Sequence, residues 1–416
     1  MNPHYPSVLT PESTRQLATQ VESEARSLKE YNVALGYLRA FIIVLVVAHH
    51  AVLAYHPYAP PPPTSLVSQP RWWGAFPVVD THRWAGFGFF TGFNDTFFMA
   101  LMFFLSGCFL PGSLERKETG TFLRDRLLRL GVPFIIAAGF LAPLAYYPAF
   151  LQTGSGWSLA GFWKQWSGLG NWPAGPAWFL WVLLGFDVVT VVALSLRGNS
   201  ASVRQPPYVL TQRPFAFFAL LVLLSAAVYI PMALFFGPMD WKSWGPFTFQ
   251  TSRLFHYALY FLAGVLFGRQ GLERTFLTAA GALAKRWALW LIFSLCAFAF
   301  ATVITILVLT SHIGSMPWAI AGGGAFSLSC AASGFAFLAI FLRFAGVRGK
   351  LFDSLSANCY GIYLLHYPLV SWLQYGMLNV SIPGFLKGAT VTFGALILSW
   401  VLTAGLRCSP LVRRII

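Results

Sequence analysis

The sequence predicts an all-α protein, a polytopic bundle of about ten membrane-spanning helices with both termini in the cytoplasm. Three observations carry that reading. Of 416 residues, 57% are hydrophobic and only 10% are charged, a balance that belongs to integral membrane proteins. Charge-poor windows of about 20 residues recur along the chain, each long enough to cross a hydrocarbon core of ~30 Å. Loops rich in Lys and Arg alternate with loops that lack them, as positive-inside topology requires.

Residues 1–34 read as a polar cytoplasmic tail. Glu12, Glu22, Glu24 and Glu30 break any apolar core, so the tail is not a signal peptide. Thr10, Pro11 and Glu12 form a helix start, and Leu17, Val21 and Leu28 recur at helical spacing, which predicts a short surface helix at the membrane face. The transmembrane domain covers 35–407. Its spans are predicted at 36–56, 94–112, 131–151, 176–196, 215–236, 254–268, 287–309, 318–342, 354–377 and 386–406. A short basic cytoplasmic tail, 408–416, closes the chain.

Of the 28 Lys and Arg, 22 fall on one side of this arrangement. The other side has Arg71, Arg83, Lys164, Lys242, Arg253 and Lys387. The first side is therefore cytoplasmic. The net charge of +15 records topology, and no nucleic-acid partner is implied. The outer loops at 57–93, 152–175 and 237–253 are longer and rich in tryptophan, among them Trp72, Trp73, Trp84, Trp157, Trp163, Trp166, Trp172, Trp241 and Trp244. Tryptophan favours the membrane interface; its face also stacks on sugar rings. The five cysteines show no CxxC or other ligand spacing, so neither a disulfide framework nor a metal site is expected. No internal repeat is visible.

The first span, LGYLRAFIIVLVVAHHAVLAY, carries Arg39, His49 and His50 in an otherwise apolar stretch. Ionisable groups in a spanning helix face the protein interior and tend to be functional. His50 lies eleven residues after Arg39, so the two share a helix face about 16 Å apart, whereas His49 sits about 80° away. The bland alternative is a snorkelling arginine and a histidine bonded to a neighbouring helix.

The second span offers Gly107 and Gly112 for close helix approach, with Asn94 and Asp95 at its outer end. TFLRDRLLRLGVPF follows. Arg126 and Arg129 are three apart and share a helix face, and Arg124 lies about 200° from Arg126. Such residues fix topology, or they hold the phosphates of an anionic donor. Asp187 is the only carboxylate deep in a span, either paired in the bundle or near a bend. In the ninth span, LSANCYGIYLLHYPLVSW, His366 lies at the depth of His50, and Tyr360, Tyr363 and Tyr367 share one face. His256, at the outer end of span six, is a weaker candidate.

With these residues in place the chain resembles the membrane acyltransferase-3 family. LRAFIIVLVVAHHA, FFLSGCFL, FLRDRLLRLGVPF, AWFLWVLL and YGIYLLHYPLV occur in the family's order between residues 38 and 369. The style is closer to the glucan-succinyltransferase branch than to O-antigen acetylases with a fused periplasmic domain. The resemblance implies an acyl-CoA-dependent O-acyltransferase of the bacterial inner membrane. It would use acetyl-CoA or succinyl-CoA as donor substrate, with no permanently bound cofactor, and an extracytoplasmic glycan or small hydroxyl compound as acceptor. Arg39 and His50 match the family's paired arginine and catalytic histidine. Arg126 and Arg129, with Arg124 nearby, match its basic donor motif, although Asp125 stands where many members have a further arginine. His366, Tyr363 and Trp84 are the candidate substrate contacts.

On that basis the CoA head is expected near Arg39, Arg126 and Arg129, with its pantetheine arm along the Arg39–His50 face of span one. The acceptor enters through 57–93 and 152–175, and His50 acts as base or as acyl carrier. The rival reading is a proton-coupled permease with His50, His256 and His366 as a relay. It predicts polar residues spread through several spans.

Overall fold

The computed structural model describes residues 33–68, 74–196, 208–310 and 316–416. The expected surface helix of the N-terminal tail, Arg71, Trp72 and Trp73 lie outside these residues. Among the described residues ten helices of 17 or more residues make up the body: α1 (Val33–Tyr55), α2 (Gly86–Leu114), α3 (Thr119–Gln152), α4 (Gly175–Leu196), α5 (Pro214–Phe236), α6 (Leu254–Gln270), α7 (Trp287–Thr310), α8 (Met316–Phe344), α9 (Lys350–Gly376) and α10 (Gly384–Leu406). All except α6 and α9 are long and apolar enough to cross a membrane. Helix α6 has 17 residues; α9 has 27 but carries Lys350 and Asp353 in its first turn and Asn358 and Gln374 further on. An antiparallel hairpin, Trp241–Trp244 with Phe247–Gln250, interrupts the otherwise helical fold between α5 and α6.

Two boundaries differ from the sequence reading. Helix α2 begins at Gly86 and not at 94, because the glycine-rich GFGFFTGF packs as helix. Phe87 is buried in the core, and Phe90 and Phe93 lie against it. That packing outweighs the poor helix propensity of glycine. Helix α3 begins at Thr119, so Arg124, Arg126 and Arg129 ride on the same helix that continues to Gln152.

Backbone contact joins α2 and α6. A Cβ at Gly264 would lie 2.0 Å from the Phe104 carbonyl oxygen, and one at Gly107 would lie 2.1 Å from that of Phe261. Only glycine permits this approach, the small-residue packing expected at Gly107. Gly112 makes no such contact, its nearest neighbour being Arg116 at 3.9 Å.

Helix α3 is tied to its neighbours differently. It holds wide, π-type turns at Leu127–Gly131 and Ala137–Leu141, with Pro133, Pro143 and Pro148 in its course. Proline has no N–H to give the carbonyl a turn behind it. In hydrocarbon that carbonyl needs another donor. Tyr360 donates its hydroxyl to the Arg129 carbonyl, Trp172 Nε1 donates to Ala138 at 2.8 Å, and Trp372 Nε1 donates to Leu144 at 3.1 Å. Two of the three donors belong to α9, so α3 and α9 are braced near both ends.

Candidate active site

Helix α1 ends one and a half turns after His50, which leaves its last carbonyls without helical partners. The Gln374 side-chain amide of α9 donates to His50 O at 2.9 Å and to Ala51 O at 3.0 Å. The loop between α1 and α2 supplies the rest, with Asp80 N donating to Ala54 O at 2.9 Å and Trp84 N to Tyr55 O at 3.0 Å. These bonds fix α1 and α9 at one depth. The loop is itself held by a fully buried Lys387–Asp80 ion pair at 2.6 Å and by Gln152, which bonds both the N–H and the carbonyl of Val79.

At that depth His50 meets His366. His366 is fully buried, and its Nε2 lies 3.3 Å from His50 Nδ1. Carbonyl neighbours assign the tautomers, because a carbonyl only accepts. His366 Nδ1 is 2.6 Å from Tyr363 O, so it carries a proton and leaves Nε2 as an acceptor. His50 Nδ1 is 2.8 Å from Val46 O, so it too is protonated, sharing its N–H between Val46 and His366. His50 Nε2 therefore holds a lone pair. It has no hydrogen-bond partner among the described residues and is not sealed from solvent. The arrangement is a base with one nitrogen anchored and the other free.

The three tyrosines of α9 do share a face, and each hydroxyl reaches a different element. Tyr360 holds α3. Tyr363 donates to the Pro176 carbonyl before α4. Tyr367 bonds Tyr146 Oη at 3.1 Å and faces the Gly74 carbonyl, while its ring stands edge-on to His50 with centroids 5.3 Å apart. The turn before α4 is pressed onto this ring. Gly175 has φ +57°, and a Cβ there would come within 2.7 Å of Tyr367. A narrow cleft between α3, that turn and α9 is lined by Ala137, Ala142, Ala177, Tyr363 and Tyr367.

The arginines at the N-terminal ends of α1 and α3 separate into two groups. Arg39, Arg124 and Arg129 have exposed side chains. Arg126 turns inward, its Nε 3.2 Å from Asp187 Oδ2, with Asp187 buried and the guanidinium over the Phe122 ring at 5.0 Å. Asp187 is thus paired in the bundle, the first of its two expected settings. Asp125 pairs with Lys117. The Arg39–His50 face of α1 is not an open lane. Ile43 and Val46, which lie between them on that face, are 4% and 3% exposed. Periodicity placed the two residues on one face but carried no information about the helices packed against it. Trp84 is half-exposed and edge-on to Phe87.

Sequence reasoning missed Tyr146, Gln374, Gln152 and the Lys387–Asp80 pair. A lone polar residue inside an apolar window was the available signal for Gln374 and Lys387. Among the described residues no group of three or more His, Cys, Asp or Glu is disposed to hold a metal ion.

A family model described as "Acyltransferase domain" matches residues 32–404, nearly the whole chain, and the chain belongs to that family. No curated protein and no solved structure matches it.

Proposed function

We propose that this member of the acyltransferase family carries an acyl group from cytoplasmic acyl-CoA to a hydroxyl of an extracytoplasmic glycan or small-molecule acceptor. All ten long helices cross the membrane in this reading, with both termini inside. Two of the six outer basic residues, Arg253 and Lys387, are buried and ion-paired, so the loop asymmetry that supports this topology is sharper than the raw count. Reporter fusions at residues 1 and 416 are expected to read cytoplasmic; an external terminus would overturn the loop assignments.

The observation that carries the reaction is the free Nε2 of His50 above an Nδ1–H anchored by Val46 and His366. His50 Nε2 takes the proton of the acceptor hydroxyl as its oxygen attacks the thioester carbonyl. The new C–O bond forms, the C–S bond breaks, and the proton passes from His50 to the leaving thiolate, giving free CoA thiol. While His50 is an imidazolium, the His366 lone pair and the Val46 carbonyl face its Nδ1–H and lower the cost of the charge. Arg39, Arg124 and Arg129, exposed on the cytoplasmic side, suit the polyanionic head of the donor. Arg126 is committed to Asp187 and orders the helix that presents them. The packed Ile43–Val46 face directs the pantetheine arm away from α1's own Arg39–His50 stripe.

A permease relay through His256 lacks support, because His256 is fully buried with one nitrogen on Ser225 at 2.8 Å and the other on Cys330 at 3.4 Å. The test is release of CoA thiol from acetyl-CoA by purified protein in nanodiscs. Wild type is expected to turn over and His50→Ala to fall to background. Equal rates in both would overturn the role of His50.

A further inference from the structure

The cleft between α3, the segment leading into α4 and α9 has no task in the mechanism above. Its walls are tied to one another at every seam. Trp172 Nε1 donates to the Ala138 carbonyl at 2.8 Å and joins that segment to α3. Tyr363 joins it to α9 through the Pro176 carbonyl. Helix α9 reaches α3 on both sides of the cleft, through Tyr360 on Arg129 and through Trp372 on Leu144 at 3.1 Å. Walls tied in this way do not close on the space between them, although unfilled apolar space destabilises a packed interior.

The space is narrow, about 290 Å³ with its mouth included, and Ala137, Ala142, Ala174 and Ala177 line it with methyl groups. On α9 the lining runs from Tyr363 to Pro368, a rise of about 7.5 Å. No ionisable group other than the two tyrosines lines it, and both hydroxyls are spent, Tyr363 on Pro176 and Tyr367 on Tyr146 at 3.1 Å. The walls on α3 and α4 belong to helices long and apolar enough to cross a membrane. A carboxylate placed here would lose its water and find no donor in exchange. A hydrocarbon chain asks for no partner.

The position of the cleft says which chain. Its α9 wall is made of the two rings that face the histidine pair. Tyr367 stands edge-on to His50 with centroids 5.3 Å apart, and Tyr363 lies 6.0 Å from His366. The cleft therefore begins one ring away from the base. We infer that it takes the alkyl chain of the transferred acyl group, and that the preferred donor is a neutral aliphatic acyl-CoA and not one with a charged end such as succinyl-CoA. The inference rests on the acyltransferase reading above and adds what is transferred and where its chain lies. With the thioester carbonyl at His50, the chain passes the edge of Tyr367 and lies against the alanines. An extended alkyl chain advances roughly 1.25 Å per carbon, from C–C bonds of about 1.5 Å at a tetrahedral angle, so about six carbons match the lined length.

The test is release of CoA thiol by full-length protein in nanodiscs from acetyl-, butyryl-, hexanoyl- and succinyl-CoA, with His50→Ala as the blank. Each buried methylene is worth about fourfold, so kcat/KM is expected to rise at least about tenfold from acetyl-CoA to hexanoyl-CoA. Butyryl and succinyl groups are equally long and differ in their end, a methyl against a carboxylate; butyryl-CoA should be better by at least about tenfold. Ala142→Val and Ala177→Val narrow the cleft from two different walls, and each should lower the hexanoyl-to-acetyl ratio of kcat/KM by at least about fivefold. That ratio does not depend on how much of a preparation is folded, and the wild-type comparison stands if neither variant folds. Acetyl-CoA as good as hexanoyl-CoA, succinyl-CoA as good as butyryl-CoA, or an unchanged ratio in both variants would overturn the assignment, the last outcome pointing to a lipid tail as the occupant. No thiol release from any of the four donors would instead overturn the acyltransferase reading.

Discussion

His50 and His256 are both histidines in apolar helices, yet their surroundings differ in one respect that decides their use. His256 has both nitrogens occupied, by Ser225 and Cys330, and is fully enclosed among Tyr229, Tyr260 and Phe326. His50 has one nitrogen bound twice and the other free. A satisfied histidine joins helices α5, α6 and α8; a half-satisfied one can exchange a proton. Burial alone therefore does not separate the two; in the proposed mechanism it is the unpartnered nitrogen of His50 that does.

The largest effect should separate these two residues. His50→Ala is expected to reduce transfer by a factor on the order of 10²–10⁴, the usual contribution of a general base, with little change in thermal unfolding in detergent. His256→Ala should do the reverse, leaving Ser225 without its ring partner and lowering the melting temperature while the folded fraction keeps its turnover. If His256→Ala is the inactive variant and His50→Ala is not, the comparison fails.

The next prediction tests what anchors the half-satisfied histidine. His366→Leu removes the acceptor behind His50 Nδ1, and kcat is expected to fall roughly ten- to a hundredfold with donor KM unchanged, as for loss of a charge-assisted hydrogen bond of about 1.5–3 kcal/mol. His366→Gln, which restores an acceptor oxygen, should recover part of that loss. Equal kcat in the Leu and Gln variants would assign His366 to packing.

The arginines extend the contrast between spent and unspent groups. Arg124→Ala and Arg129→Ala should each raise the donor KM by about one to two decades, measured in acetyl-CoA titrations. Arg126→Ala leaves Asp187 buried without its cation and should act mainly on stability. Asp187→Asn in the same chain should restore the melting temperature. A donor KM effect for Arg126 as large as that for Arg129 would return it to the binding site. The smallest change is expected for Tyr367→Phe, which keeps the ring edge against His50 and gives up the bond to Tyr146. A loss of less than about fivefold in turnover fits the ring as the working part, whereas Tyr367→Leu should cost more.

Much of this was legible in one dimension. Helical periodicity and span depth brought His50 and His366 to the same level, and the structure places them in contact. The basic stretch on α3 and the tyrosine face on α9 were legible for the same reason, since both are properties of a single helix. What was not legible depends on partners far away in the chain. Arg126 reads as a companion of Arg129 on one helix face until Asp187 is brought beside it. The Arg39–His50 face reads as a lane for the donor arm, and only the structure shows that Ile43 and Val46 on it are covered. The prolines of α3 say nothing of their partners in the sequence, and only the positions of Tyr360, Trp172 and Trp372 turn them into bracing points.

The Gln374 bond to the end of α1 bears on how the protein is made. Helix α1 leaves the ribosome early, carrying His49, His50 and carbonyls that nothing within its own hairpin can satisfy. Their donor lies 324 residues further along. At a synthesis rate of about 5–20 residues per second, roughly 15–65 seconds pass before that donor exists. During that interval the first helix must be sheltered, by the insertion machinery or by water at the outer surface. A chain stopped before α9 would hold the base but neither its anchor nor its cap. Translational arrest or truncation before α9 should therefore yield a protein that inserts but is inactive, and pulse-labelled nascent chains should gain protease resistance at the α1 end only after residue 374 has been released.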